Sequence, residues 1–304
     1  MKKVGKATIV LLLSAFLLAS CSSNGGSSEA VKNTGNSPTA APSQEAAVPA
    51  VTNDSATNTG NSEGNLASPS PQANQDAVGS TNDSEQTAEI PLLYHMNKNY
   101  DIVPNEEGTP KKVVLLTFDD GPKEAKMINS IIDTLDKHHA KAIFFMNGYR
   151  IKEHPELLKL IHERGGILGN HSWDHIELKN KPYDTVKKQL EDVQTAVKDI
   201  TGETPHFFRP PYGAGGDVGK KVAAENGMLY MTWSVGSLDW EMKEKDSNKT
   251  EKLIGNVTGQ LHSGSNILMH ELPWTTEALD TLLTTLEEKG YSFVDPRSIE
   301  LKMR

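Results

Sequence analysis

The sequence predicts an α/β fold of parallel strands joined by helical crossovers, carried on about 215 residues from near Glu89 to Arg304. Three observations predict it. Apolar runs of strand length alternate with amphipathic stretches of helix length through that span. Glycines stand just beyond the ends of the helical stretches. Short polar motifs follow successive strand-like runs, at the edge where barrels and open doubly wound sheets both place their active sites. Either architecture fits the alternation.

The elements follow in order. Val113 to Phe118 is β-rich, and Lys123 to His138 is helical by period. Ala142 to Met146 is β-like. Pro155 to Arg164 is a helix that Gly165-Gly166 stops, and Ile167-Leu168 leads into a histidine motif. Pro182 to Ile200 is a long amphipathic helix with Gly202 just past it. Phe207-Phe208 precedes an arginine motif, and Asp217 to Asn226 is a helix capped by Gly227. Leu229 to Val235 is a strand, Lys249 to Leu261 a helix and Asn266 to Met269 a strand. Thr275 to Lys289 is a helix stopped by Gly290, and Tyr291 to Val294 is a last strand. In the stretch 89–111, Tyr94-His95 begins a first strand or borders the cleft.

Upstream of the fold, residues 1–20 form a leader. Lys2, Lys3 and Lys6 precede an apolar run from Ala7 to Ala19, too short to span a bilayer as a folded helix. The run ends in Leu18-Ala19-Ser20-Cys21, which resembles a bacterial lipobox whose cysteine becomes the lipidated first residue. Cys21 is the single cysteine of 304 residues, so no disulfide can form within the chain. Residues 21–88 are then a lipid-anchored linker. Ser, Asn, Thr, Gly, Ala, Pro and Gln dominate there, a composition that cannot offset its ordering entropy by apolar burial. Such a disordered tether spans roughly 45 Å, at about 5–6 Å times the square root of its residue number. This places the 89–304 domain at the outer face of the cell membrane, within reach of the cell wall.

The net charge of −9 and the lack of any basic run exclude nucleic acid as an expected partner. No Gly-x-Gly-x-x-Gly or Walker signature follows a strand, so no nucleotide is expected. A neutral or mixed-charge polymer suits the chain better than a polyanion.

Five motifs carry the chemistry: Thr117-Phe118-Asp119-Asp120-Gly121-Pro122, His171-Ser172-Trp173-Asp174-His175, Arg209-Pro210-Pro211-Tyr212-Gly213, Asp239-Trp240 and Leu268-Met269-His270. His171 and His175 lie four residues apart, so on a helical turn they share one face and can bind one metal. With Asp120 they make a three-ligand site that leaves positions open to water and substrate. Zn²⁺ is the first expectation for a hydrolase, and Co²⁺, Mn²⁺ and Ni²⁺ suit the same ligands. Asp119 and Asp120 are adjacent before a Gly-Pro turn, so their carboxylates point apart and can divide the work between cation and attacking water. Arg209 can hold a carboxylate bidentately. Asp239 and His270 can form a pair in which the carboxylate favours the protonated ring.

From about Lys112 to the C-terminus, these motifs in this order resemble the NodB-homology polysaccharide deacetylases, carbohydrate esterase family 4. The resemblance implies a distorted (β/α) barrel with fewer than eight regular repeats and a divalent metal held by Asp120, His171 and His175. It implies Asp119 as general base, oriented by Arg209, and His270 as general acid, oriented by Asp239. The backbone N–H of Tyr212 is implied in the oxyanion site, and Trp240 and Leu268 as the wall of an acetyl-methyl pocket. The fourth motif often has a further aspartate where this chain has Gly236. The fifth usually continues His-Asp or His-Thr, where this chain has His270-Glu271. Trp233-Ser234 to Asp239-Trp240, and Glu277 to Asp280, are similar to the muramic-acid-type deacetylases, which commonly lack the counterpart of Asp120. The expected function is therefore metal-dependent N-deacetylation of a cell-wall glycan, first peptidoglycan at N-acetylglucosamine. N-acetylmuramic acid, chitin oligomers and O-acetyl esters are the alternatives in the same class. A non-catalytic wall-binding lipoprotein is the alternative from another class.

Overall fold

The computed structural model describes residues 90–304. The leader and the linker, Cys21 included, lie outside the described residues. A hairpin of β1 (Tyr94–Met96) and β2 (Ile102–Pro104) comes first. The main sheet contains β3 (Val113–Gly121), β4 (Ala142–Met146), β5 (Ile167–Asn170), β6 (Phe207–Phe208), β7 (Leu229–Tyr230), β8 (Val235–Gly236), β9 (Ser265–His270) and β10 (Ser292–Phe293). Between the strands run α1 (Ala125–Lys137), α2 (Gly148–Glu153), α3 (Pro155–Glu163), α4 (Tyr183–Thr201), α5 (Gly216–Glu225), α6 (Lys249–Gln260) and α7 (Pro273–Glu288). Every pairing in the main sheet is parallel. The strand order is β7-β6-β5-β4-β3-β9-β8, with β10 beside the first residues of β3.

The shape follows from one short connection. β7 and β8 lie at opposite ends of that order, yet only residues 231–234 join them. Five Cα steps reach at most about 17 Å. The two edges must therefore face each other, and the sheet curls into a distorted (β/α) barrel with one open seam. Side chains bridge the seam. The Thr232 carbonyl accepts from Arg209 Nε at 3.1 Å, Arg209 Nη2 at 2.8 Å and Asn266 Nδ2 at 3.1 Å. This corrects the expectation of one strand from Leu229 to Val235. The run is rich in β-favouring residues, but its two ends pair with different neighbours, β6 and β9, and its middle crosses the gap.

Alternation along β3 sorts its side chains into two layers. Leu116 and Phe118 pack outward with Ile128 and Ile131 of α1 and Leu279 and Leu282 of α7. Leu115 packs inward with Ile143, Phe145, Phe207 and Met231. Each fully buried aliphatic side chain contributes about 1.5–3 kcal/mol. Thr117 and Asp119 continue the inward row, which carries a carboxylate to the downstream mouth of the barrel. The β1–β2 hairpin closes the other end: Ile102 N–H donates to the Gly264 carbonyl at 2.8 Å, and Tyr94 bridges to Ile299. Tyr94-His95 is thus a first strand at the barrel floor, remote from the cleft. Helix α2 is absent from the sequence reading because six residues carry too little period to register.

Candidate active site

Asp119 and His270 close the paired stretch of β3 and β9, where they stand in register with each other. His171 follows β5 directly and Arg209 follows β6, so all four residues reach one rim of the barrel. His175 and Asp120 complete a cluster there. His175 Nε2 lies 3.1 Å and His171 Nε2 3.5 Å from Asp120 Oδ1. The ligand atoms of all three residues lie within 4.8 Å of one another. The histidine motif is not a helical turn, which corrects the helical reading of its spacing. Residues 171–175 form an irregular loop, and left-handed φ values at Ser172 (66°) and His175 (53°) fold the second ring back toward the first.

The cluster fits a cation. His171 Nδ1 lies 2.6 Å from the Arg209 carbonyl, which can only accept, so Nδ1 carries the proton and Nε2 presents a lone pair. Asp120 Oδ1 is buried and has no hydrogen-bond partner. With the ring neutral, two acceptors face each other across 3.5 Å, a contact that a cation between them, or a second proton on the ring, relieves. The Arg209 carbonyl on Nδ1 is the kind of second partner common around metal-bound imidazoles, and Asn147 Nδ2 holds the His171 backbone carbonyl at 2.9 Å.

Arg209 is fully buried inside the barrel and stacks on Phe145, with its guanidinium carbon 4.5 Å from the ring centroid. Nη1 donates to Asp119 Oδ1 and to Thr117 Oγ1, both at 2.7 Å, and Nη2 donates to Asn266 Oδ1 at 3.2 Å. The bidentate grip expected from the sequence is not made. One nitrogen holds Asp119 because the others are committed to the seam. This leaves Asp119 Oδ2 on the cluster side, 3.7 Å from His171 Nε2.

On the other flank, Asp239 is fully buried three residues beyond β8. Its Oδ1 lies 2.8 Å from His270 Nδ1, and its Oδ2 accepts from the His270 N–H and the Thr275 hydroxyl, both at 2.7 Å. Burial by itself lowers the proton affinity of His270, and the Asp239 carboxylate more than reverses this, so its pKa lies above the ordinary value. Trp240 packs edge-on against His270 with centroids 5.5 Å apart. Leu268 is buried on β9, paired with Gly236 of β8. A Cβ at Gly236 would lie 3.0 Å from the Trp240 ring, so the glycine at this departure from the family pattern leaves Trp240 its seat. Tyr212 is 69% exposed, adopts φ 59° and sets its ring edge-on to His175 at 4.8 Å.

Strain concentrates at this rim. Of the eight non-glycine residues with positive φ among the described residues, Asp120, Ser172, His175, Tyr212 and Leu238 lie in the motif loops. Behind Asp120 sits Glu271, fully buried, whose carboxyl burial pushes up to about 7 although the Lys123 N–H opposes it. Thr275, Asn266, Asn147 and Glu271 all support the site, and the sequence reading assigned none of them a role. Each is a single polar residue at an element end, a pattern shared with ordinary surface positions. A cavity of about 560 Å³ lined by Leu92, Ile167, Phe207 and Ile299 opens at the opposite end of the barrel, so the ligand chemistry rather than cavity size locates the site.

Comparison with known proteins agrees with this geometry. The family model for polysaccharide deacetylase matches residues 106–231. The peptidoglycan-N-acetylmuramic acid deacetylase PdaA of Bacillus subtilis is 32% identical over 200 residues, covering 64% of this chain and 75% of that protein. The chain belongs to the polysaccharide deacetylase family. Another member, the peptidoglycan-N-acetylglucosamine deacetylase PgdA of Listeria monocytogenes, is 39% identical over 207 residues. That match covers 66% of this chain but only 42% of the Listeria protein. Among solved structures of the family, a pseudoenzyme of carbohydrate esterase family 4 from Bacillus anthracis superposes with a TM-score of 0.58 at 32% identity, covering 64% of this chain and 67% of that one. Family membership alone therefore does not decide catalysis, and the side chains at the rim must.

Proposed function

We propose that this chain is a metal-dependent N-deacetylase of a cell-wall glycan, with peptidoglycan N-acetylglucosamine as its first substrate. The observation that carries this reading is the convergence of Asp120, His171 and His175 beside a free oxygen of Asp119, with the Asp239–His270 pair on the opposite flank. A retired enzyme should have lost ligands or proton-transfer groups, and this chain keeps all of them. The printed activities of the Listeria and Bacillus relatives, on N-acetylglucosamine and on N-acetylmuramic acid, support a peptidoglycan substrate.

When bound, a divalent cation, first of all Zn²⁺, supplies Lewis acidity that polarises the acetamide carbonyl and acidifies a nearby water. Asp119, held by Arg209 through Oδ1, takes the proton of the attacking water on Oδ2. The Tyr212 N–H donates to the oxyanion that develops on the acetyl carbon. His270, with Nδ1 on Asp239, gives the proton of Nε2 to the sugar nitrogen as the C–N bond breaks. Trp240 and Leu268 wall the methyl group. The products are acetate and a free amino sugar. We also propose that Cys21 is lipidated, which would hold the enzyme at the outer face of the membrane beneath its substrate.

Mass spectrometry of peptidoglycan fragments, before and after incubation with Zn²⁺-loaded protein, tests the substrate. Loss of acetyl from N-acetylglucosamine is the expected result, and unchanged fragments reject the reading. Three further outcomes are expected. His171→Ala abolishes cation binding by calorimetry and acetate release together, and thorough chelation silences the parent until Zn²⁺ is returned. Asp239→Asn moves the alkaline limb of the kcat/KM profile to lower pH. Asp239 raises the proton affinity of His270, so removing its charge lets burial dominate, and the acid form is lost earlier as pH rises. A limb that stays in place would remove Asp239 from the proton-donor pair.

A further inference from the structure

We propose that Glu271 is a positioning residue that fixes the metal-ligand turn to the strand bearing the proton donor. The inference rests on the reading of Asp120 as a metal ligand. Asp120 adopts φ 65°, a conformation that a non-glycine residue holds only when its surroundings impose it. The turn Gly121-Pro122-Lys123 follows it at once, and two ties hold that turn. The Gly121 carbonyl accepts from Asn147 N–H at 2.9 Å, and the Lys123 N–H donates to Glu271 Oε2 at 2.9 Å. Glu271 is the residue after His270, so one carboxylate connects the end of β9 to the peptide units beside Asp120.

The sequence makes room for this contact. A Cβ on Gly121 would lie 2.1 Å from Glu271 Oε1 and 2.6 Å from Met146 Cε, so only glycine lets the carboxylate enter beneath the turn. Glu271 is 0% exposed, and its Oε1 is buried without a hydrogen-bond partner. A polar carboxyl group kept there with a buried unsatisfied oxygen is not explained by stability, because an apolar side chain of equal volume would avoid that cost. It is explained by what it holds. The long backbone contact from Glu271 N–H to the Asp119 carbonyl, 3.5 Å, shows the β3–β9 ladder already parting at this level. The side chain takes over from the ladder where the two strands diverge, and so sets where Asp120 stands relative to His270.

The test is cation affinity of the full chain, measured by calorimetric titration with Co²⁺ alone, beside the visible spectrum of bound Co²⁺ and the melting of the metal-free protein. Glu271→Met keeps volume and removes the acceptor, whereas Glu271→Gln removes the charge but keeps an oxygen for the Lys123 N–H. The expected result is a loss of about 10-fold or more in Co²⁺ affinity, with an altered spectrum, for Glu271→Met, and a change within about threefold for Glu271→Gln. Metal-free melting should stay near that of the parent in both. Parent-like affinity and spectrum in Glu271→Met overturn the proposal, and an equal loss in both variants assigns the effect to charge and overturns it too. Glu271→Leu replaces the Met variant, with the same two outcomes, should that one fail to fold. A parent chain that binds no Co²⁺ overturns the metal reading and this inference with it. Binding by the parent with no effect of Glu271→Met overturns this inference alone.

Discussion

Asp119→Asn is expected to lower acetate release by about 10²–10⁴-fold, the usual range for loss of a general base, while Zn²⁺ affinity stays close to that of the parent. The geometry separates the two effects. Asp119 Oδ1 accepts from Arg209 Nη1 at 2.7 Å, and the amide oxygen of the substitute can accept the same bond, so the buried arginine keeps a partner. The metal candidates Asp120, His171 and His175 are untouched. What disappears is an oxygen able to take a proton. Acetate release and calorimetry on the same preparation check both halves. Turnover within tenfold of the parent would put the base elsewhere, and lost Zn²⁺ binding would make Asp119 a ligand.

Arg209→Met is expected to destabilise the metal-free protein by about 3–5 kcal/mol, the range seen when one partner of a buried ion pair is removed. Arg209 is fully buried, and its three nitrogens hold Asp119, Thr117, Asn266 and the Thr232 carbonyl. The Met variant leaves the Asp119 carboxylate, 3% exposed, without its cation, and the seam between the strand edges without its main bridge. Urea unfolding of both proteins measures the difference. Adding Asp119→Asn to the Met variant should recover part of the loss, because the stranded charge is then gone. A cost under about 1 kcal/mol for Arg209→Met would mean that the seam is held by backbone and apolar packing instead.

Asp119 and Arg209 differ in how much of their setting is written locally in the chain. Asp119, Asp120, His171, His175, Asp239 and His270 were legible because each stands at or a few residues beyond a strand end, where chain direction already brings side chains to one rim. The grip of Arg209 on Asp119 was legible as a pairing but not as a geometry. A sequence does not show that the other nitrogens are claimed by Thr232 and Asn266 across a seam. The same seam defeated the reading of Leu229 to Val235 as one strand, since β propensity records a residue's fit to a sheet and not which edge of the sheet it joins. The histidine spacing pointed to two rings brought together, but through the wrong local shape. Proximity at four residues apart can come from a helical turn or from a loop with two left-handed residues, and the chain uses the loop.

The sequence by itself determined the alternating elements, the motif residues and the family, because apolar period and polar punctuation are local properties that each segment carries alone. Only the tertiary structure decided that the sheet closes on itself, that Arg209 spans its interior, and that Glu271 stands behind the Asp120 turn and Thr275 behind Asp239. Those facts depend on which side chains meet across long stretches of chain. Such meetings are set by the curl of the whole sheet, which no single segment encodes.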